Sequence, residues 1–156
     1  MKIESEQFKS HLDLLTIEEI SIEQVEDIIE KYSEPWREYH NLDHITDLLS
    51  KFRKLHTNKE ITDKQYKTLK IATIFHDVIY YPWNIKTENG YTLGESNEKL
   101  SANYFQEVWF KSGNVECELY YEIIDVILST ENHLANSEIE RLFIKEDESI
   151  LGSNNW

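Results

Sequence analysis

The sequence predicts an all-α protein, a single domain built as a bundle of about six to eight helices. Every apolar segment repeats at the spacing of one helix face, and none sustains the alternation that a half-buried strand needs. Turn-forming residues are few, with 4 Gly and 2 Pro. A length of 156 residues suffices for one sizeable core, so we expect one domain over residues 1–156.

Two helices are predicted before the first proline. A short amphipathic helix covers Phe8–Leu15, and a second runs from about Ser21 to Tyr32. Ser21 followed by Gln24 is a capping-box pattern, in which each side chain satisfies a backbone N–H at the start of the helix. Pro35 ends this segment because proline disfavours helical geometry in the residue before it.

The next helix is predicted from about Asn41 to Leu55, beside two histidines. His40 and His44 are four residues apart, so their rings share one face if the helix already includes His40. That spacing is a common way to bring two imidazoles to one site. A pair of surface histidines is the alternative that the spacing leaves open.

The most apolar window of the chain ends on a His-Asp pair. It reads I-A-T-I-F-H-D-V-I-Y over Ile71–Tyr80. We expect a long helix here, capped by Thr62 or Asp63, that carries His76 and Asp77 into the core. An imidazole and a carboxylate are costly to bury without partners. A metal ion is one such partner, and bonds between the two residues or to a neighbouring helix are the alternative.

The rest of the chain predicts one loop and three helices. Asn89-Gly90 and Gly94 favour turns, so Pro82–Gly94 is expected to be a loop that follows the candidate site and could shape a pocket. The helices expected after it are Glu95–Phe110, Glu116–Thr130 and, capped by Asn136, Ser137–Ile144.

Charge and composition exclude some classes of partner. The formal net charge of -14 repels phosphate backbones and anionic lipids, so we expect neither nucleic acid nor a membrane as a partner. No stretch approaches the roughly 20 apolar residues of a spanning helix, and Met1–Gln7 lacks the apolar run of a signal peptide. The single cysteine, Cys117, can form no internal disulfide and fits a reducing cytosol. We therefore expect a cytoplasmic protein.

Two histidines and two carboxylates form a candidate metal site, made of His44, His76, Asp77 and an acidic residue near the end of the chain. This mixed nitrogen and oxygen set suits a divalent ion (Mn, Fe, Co, Ni, Mg or Zn) with positions left for water. Such an ion lowers the pKa of a bound water and stabilises charge on a phosphoryl oxygen. The set predicts hydrolysis of a phosphate ester or anhydride by a metal-activated water. We expect a small phosphorylated substrate, with a nucleotide as one candidate.

The order of these residues on an all-α chain resembles the HD-domain superfamily of metal-dependent phosphohydrolases. The similarity is closer to a bacterial subfamily described as predicted metal-dependent HD phosphohydrolases, and it covers most of the chain. The matching segments are R-E-Y-H-N-L-D-H-I (Arg37–Ile45), F-H-D-V-I-Y (Phe75–Tyr80), N-E-K-L-S-A (Asn97–Ala102) and D-E-S-I-L-G (Asp147–Gly152). Four segments in the right order are far more specific than any one of them. The Y-H-N-x-x-H segment is also similar to one in cyclic-nucleotide phosphodiesterases, which share the HD core.

The resemblance implies a role for each matching position. The metal ligands that it implies are His44, His76, Asp77 and Asp147. His40 is then a general acid or a phosphate contact, and Glu98 positions the water. Arg37 is the implied phosphate clamp, because a guanidinium binds phosphate through two parallel hydrogen bonds. Thr130 and His133 fall where the subfamily carries a similar Thr-x-x-His element, so His133 is expected to line the site. The alternative is that His133 is an exposed loop histidine.

The chain departs from the subfamily near its end. Members continue past the Ile-Leu-Gly segment with further helices, whereas this sequence ends at Trp156, and Lys145 replaces an acidic residue that often precedes the last ligand. The resemblance therefore implies that the C-terminal helices of the family are missing, which bears on activity. A non-catalytic metal-binding module and an acidic helical scaffold that binds a basic partner protein are the alternatives to an enzyme.

Overall fold

Seven α-helices and one short β-hairpin make up residues 6–153, the part of the chain that the computed structural model describes, with side chains described for residues 9–149. The predicted all-α class and the predicted number of helices are confirmed. The helices are α1 (Glu6–Leu15), α2 (Ile22–Tyr32), α3 (Leu42–Thr57), α4 (Asp63–Phe75), α5 (Asn97–Lys111), α6 (Glu118–Asn132) and α7 (Glu138–Ser153). Expectations that concern the first five residues and Trp156 lie outside the described residues.

Helix α4 is the central element and contacts α3, α5, α6 and α7. It begins at a capping box in which Thr62 Oγ1 accepts from the N–H of Gln65 and the Gln65 side chain accepts from the N–H of Thr62. The predicted capping box of Ser21 and Gln24 likewise begins α2. Because four helices surround α4, its second half is buried on every side, at Thr68, Leu69, Ile71, Ala72, Thr73, Ile74 and Phe75.

Helix α4 ends earlier than the sequence predicted. The prediction continued the helix beyond His76 and Asp77, but α4 ends at Phe75, with His76 as its C-cap and Asp77 in the turn that follows. The helix cannot continue because the N–H of Ile79 donates to Ser101 Oγ on α5, at 3.0 Å, and not to the carbonyl four residues back. A contact that is distant in sequence therefore decides where α4 stops.

Helix α3 begins after His40. Asn41 is its N-cap, with a side-chain oxygen that accepts from the N–H groups of Asp43 and His44 at 3.1 and 3.3 Å. His40 and His44 therefore do not share a helix face, which was the condition for pairing them by spacing. Their rings are nevertheless neighbours, with centroids 6.2 Å apart in an edge-to-face arrangement.

Helix α7 is longer than predicted. The sequence placed its end near Ile144, whereas the helix continues to Ser153 through a polar segment in which Asp147 is buried. Its cap is Ser137 and not Asn136, because Ser137 Oγ accepts from the N–H of Glu140 at 3.2 Å. This extension places Asp147 on a helix that contacts both α3 and α4.

The predicted loop between α4 and α5 contains a small hairpin that the sequence did not predict. Its strands, β1 (Lys86–Thr87) and β2 (Gly90–Tyr91), are antiparallel, and two-residue strands are too short to show alternation. Gly90 has a φ of 123°, a conformation that other residues rarely adopt. Within residues 6–153, no helix combines the length and the apolar character that crossing a bilayer requires.

Candidate metal centre

Three helices bring two imidazoles and two carboxylates to one buried place. His44 lies in the first turn of α3, His76 and Asp77 follow the last residue of α4, and Asp147 lies on α7. Side-chain exposure is 2% for His44, 1% for His76, 14% for Asp77 and 9% for Asp147. Ligand atoms of His44, His76 and Asp77 all lie within 4.8 Å of one another, and this group could hold a metal ion.

Asp147 and Asp77 each approach both imidazoles. Asp147 Oδ1 is 2.8 Å from His44 Nε2 and 3.5 Å from His76 Nε2. Asp77 Oδ2 is 3.1 Å from His76 Nε2 and 3.7 Å from His44 Nε2. The two Nε2 atoms and one oxygen of each carboxylate therefore converge, although the residues are far apart in sequence.

The main chain orients His76. Its Nδ1 lies 2.9 Å from the carbonyl oxygen of Thr73 and donates to it, so the neutral ring leaves Nε2 without a proton. Histidines that bind metals commonly make this kind of bond through their other nitrogen. The edge-to-face ring of Phe143, with centroids 5.0 Å apart, packs against the imidazole. Neutral His76 therefore directs its Nε2 lone pair to the cluster.

Four buried atoms of the cluster have no hydrogen-bond partner among the described residues. They are His44 Nδ1, His44 Nε2, His76 Nε2 and Asp147 Oδ1. His44 Nε2 and Asp147 Oδ1 attract each other electrostatically at 2.8 Å but are not aligned as a hydrogen bond. Buried polar atoms without partners are costly. A cation bound between the two Nε2 atoms and Oδ1 would satisfy three of the four, so this donor set fits a divalent ion.

Histidines and carboxylates of the cluster shift one another's pKa values. Burial raises the pKa of Asp77, but His76 and His40 outweigh it and hold that pKa well below its usual range. Burial also raises the pKa of Asp147, while His44 and His76 bring it down to about 2. For His76, burial lowers the pKa, yet Asp77 and Asp147 raise it well above the ordinary value. A proton on His76 and a divalent ion would therefore compete for the same carboxylates.

His40 lies beside the cluster and contacts Asp77. Its Nδ1 is 2.9 Å from Asp77 Oδ2 within hydrogen-bond geometry, and 27% of its side chain is exposed. The ring of Tyr80 lies over the imidazole, with centroids 4.4 Å apart. Burial lowers the pKa of His40, but the Asp77 carboxylate outweighs burial and raises it. His40 is thus held at the edge of the cluster by Asp77 and Tyr80.

Arg37 is surrounded by protein acceptors. Its side chain is fully buried, its guanidinium donates four hydrogen bonds to the protein, and Nη2 also forms an ion pair with Glu34. The acceptors are Glu34 Oε1 and the carbonyl oxygens of His40, Asp77 and Val78. These contacts engage the guanidinium with the protein itself, and the phosphate-clamp role implied by the resemblance stays a prediction.

Glu98 and His133 lie outside the converging group. Glu98, in the first turn of α5, is half-buried, and its pKa is raised by burial and by the charges of Asp77 and Glu131. His133 is the left-handed C-cap of α6, with a φ of 56° and half of its side chain exposed. Its Nδ1 lies 3.1 Å from Glu148 Oε2. Glu98 therefore interacts electrostatically with Asp77. The described contacts of His133 do not bring it into the cluster.

Sequence reasoning missed three groups that shape this region, namely the Thr73 carbonyl, the Tyr80 ring and the Glu34 carboxylate. The first had a signal, because Thr73 lies one helical turn before His76 and within reach of its Nδ1. Glu34 had a signal too, because an acidic residue three positions before Arg37 is within reach of its guanidinium. The Tyr80 ring had none, since its contact with His40 depends on how the segment before α3 packs against the turn after α4.

Comparison with models of protein families, with curated proteins and with solved structures gave no match. The chemistry available to the site thus follows from its own residues. Two imidazole nitrogens and two carboxylates can bind a cation, and the adjacent His40–Asp77 pair can hold a proton.

Proposed function

We propose that this protein is an HD-type metal-dependent phosphohydrolase that acts on a small phosphorylated molecule, with a nucleotide as one candidate. The observation that carries the proposal is the convergence of His44, His76, Asp77 and Asp147 from three helices. Unpartnered donor atoms at this point support a cation more than a set of internal ion pairs. The resemblance of the H…HD…D order to HD phosphohydrolases supports it independently.

In the proposed centre, His44, His76, Asp77 and Asp147 hold the ion. A divalent ion in this set supplies the acidified water and the Lewis acidity that phosphate hydrolysis needs. Thr73 keeps the His76 ring in the tautomer that can bind a cation. Mn, Fe, Co, Ni, Mg and Zn all suit two imidazoles and two carboxylates.

His40 is the proposed general acid. Its Nδ1 donates to Asp77, so Nε2 is the nitrogen that can exchange a proton with the substrate. The Asp77 carboxylate raises the pKa of His40 against the effect of burial, which keeps more of the ring protonated near neutral pH. A protonated imidazole fixed in this way can protonate the leaving oxygen of a phosphate ester.

Glu98 is the proposed group that accepts a proton from the attacking water. Burial and the charge of Asp77 raise the pKa of Glu98, and a carboxylate with a raised pKa is a better base near neutral pH. Its position in the first turn of α5 lies directly after the loop that follows the metal residues in the chain.

A non-catalytic metal-binding module is the second candidate. The observation that favours it is the burial of Arg37 among protein acceptors, because the resemblance implied this guanidinium for phosphate binding. A net charge of -14 also disfavours an anionic substrate unless a bound cation inverts the local potential.

The test measures metal content and turnover together. Protein purified without chelators is analysed for metals and assayed on phosphomonoesters, phosphodiesters and pyrophosphates. The variants are His44→Ala and His40→Ala, and His56→Ala is the control because its partner, Asp63, lies on the surface away from the cluster.

We expect His44→Ala to lose the metal, since a coordinating nitrogen is removed. His40→Ala should keep the metal and lose about 100- to 10,000-fold in turnover, the usual contribution of a general acid. His56→Ala should change neither quantity. Metal without turnover in the wild type would select the non-catalytic module, and unchanged metal content in His44→Ala would remove the proposed centre.

A further inference from the structure

Arg37 connects the two segments that carry His40 and Asp77. Its Nη1 donates to the carbonyl oxygens of His40 and Asp77 at 2.8 and 2.7 Å, and its Nη2 donates to the carbonyl oxygen of Val78 at 2.7 Å. One guanidinium thus holds the main chain just before α3 and the turn just after α4. In sequence these segments are about 40 residues apart, so no local interaction can set their spacing.

Glu34 and two tyrosines fix the guanidinium itself. Glu34 Oε1 accepts from Nε and lies 3.0 Å from Nη2. The rings of Tyr32 and Tyr80 lie near the guanidinium carbon, with centroids 4.9 and 5.8 Å away. Because the group is planar and is held by acceptors at its edge and rings nearby, it has little freedom to move.

The same contacts reach the side chains of the proposed centre. Arg37 binds the carbonyl of Asp77, whose carboxylate contacts His40 and His76. It also lies close to Tyr80, the ring that covers the His40 imidazole. A shift of the Asp77 main chain would therefore move Oδ2 relative to both imidazoles.

We propose that Arg37 is the positioning residue of this centre, which sets where Asp77 lies relative to His40 and His76. The inference rests on the proposed metal centre and adds a residue that does not touch the ion. Lysine cannot replace it, because an ammonium has three N–H donors and no planar fork, whereas the guanidinium makes four hydrogen bonds here.

The test compares Arg37→Lys with two controls that remove buried hydrogen bonds made to other parts of the chain. Thr68→Val removes the bonds to the carbonyl of Lys64 and to Glu122 on α6, and Ser101→Ala removes the bonds to the N–H and carbonyl of Ile79. All three variants are expected to lose stability, but only the first loses a bond to Asp77 itself. Each is titrated with Co²⁺, whose visible absorption reports both affinity and ligand geometry, and its melting temperature is measured.

We expect Arg37→Lys to bind Co²⁺ about 10- to 100-fold more weakly with an altered absorption spectrum, the usual effect of losing a group that orients a ligand. The two controls should keep the affinity within about threefold and the spectrum unchanged, because their anchors do not hold a ligand residue. The inference would be overturned if all three variants bound Co²⁺ with equal affinity at comparable losses of stability. Arg37 would then have a purely stabilising role.

A second variant covers the case in which Arg37→Lys does not fold. Glu34→Ala leaves the three carbonyl bonds in place but frees one edge of the guanidinium, so an intermediate loss of Co²⁺ affinity is expected. An affinity equal to that of the wild type would count against positioning by Arg37.

Failure of the proposed function has a different signature. If the wild type binds no Co²⁺, the metal centre fails, and Arg37 is then tested in the metal-free protein by the NMR signals of the His40 ring. Arg37→Lys should move these signals and the two controls should not, since Arg37 holds the His40 carbonyl. Unmoved His40 signals would refute the positioning role without reference to a metal.

Discussion

Asp77→Asn tests the electrostatic organisation of the cluster most directly. Asp77 Oδ2 is 2.9 Å from His40 Nδ1 and 3.1 Å from His76 Nε2, and 14% of the side chain is exposed. Asparagine has the same shape and can still accept the hydrogen bond from His40. The substitution therefore removes the negative charge while leaving the packing almost unchanged.

The expected loss of stability follows from the burial of the Asp77 carboxylate. Removing one partner of a buried ion pair typically destabilises a protein by about 3–5 kcal/mol. For a domain of this size, 1 kcal/mol shifts the melting temperature by about 2–4 °C, so a decrease of roughly 6–20 °C is expected. Metal affinity should fall by more than about 100-fold, beyond the usual effect of a group that only orients a ligand.

The loss of stability caused by Asp77→Asn should depend on pH. The folded pKa of His76 is raised above its unfolded value of about 6.5, with burial opposing and Asp77 and Asp147 causing the increase. This stabilisation is fully present below about pH 6.5 and is lost as the pH rises through the folded pKa. Metal-free Asp77→Asn should therefore differ from the wild type more at pH 6 than at a pH above the folded pKa of His76.

The assay is thermal unfolding of chelator-treated protein at both pH values, together with a Co²⁺ titration. Asp47→Asn is the matched control, because it makes the same chemical change at an exposed position of α3 and should shift stability by no more than about 0.5 kcal/mol. Equal melting temperatures for Asp77→Asn and Asp47→Asn at pH 6, or wild-type metal affinity in Asp77→Asn, would refute this reasoning.

Three further outcomes are expected. Apparent Co²⁺ affinity should fall as the pH is lowered below the folded pKa of His76, because a proton and the ion compete for this imidazole. An affinity that does not depend on pH would contradict the assignment of His76 as a ligand. Asp147→Asn should lower stability at pH 7 by about 2–3 kcal/mol, because the folded pKa of Asp147, about 2, lies below the unfolded value of about 3.9. Urea unfolding should show that the difference between the variant and the wild type disappears as the pH falls through about 2. Ser137→Ala should cost about 1 kcal/mol, measured by urea unfolding, through the lost cap of α7, with metal content as the control that stays constant.

Local interactions explain why much of the fold could be predicted. The capping boxes at Ser21 and Thr62 involve residues three positions apart, and the buried face of α4 repeats within the helix. The ends of helices were predicted less well, because they depend on distant contacts. Ser101 Oγ accepts from the N–H of Ile79 and stops α4, while contacts with α3 and α4 accompany the continuation of α7 to Ser153.

The candidate site was predictable as a set of residues but not as a set of contacts. His44, His76 and Asp77 were identified from residue type and order, and the structure brings them together. The resemblance implied phosphate binding by Arg37. The structure places three main-chain carbonyls around its guanidinium, and no sequence pattern encodes which acceptors a buried guanidinium will meet.

The sequence by itself determined the all-α class, the caps of α2 and α4 and the identity of the histidines and carboxylates, because periodicity and capping act over a few residues. Only the tertiary structure decided that Asp77 lies beyond the end of α4, that His40 precedes α3, and that Arg37 joins these two segments. The physical reason is the pairing of buried polar groups. Each such group must find a partner, and the partner is fixed only when distant segments have packed together.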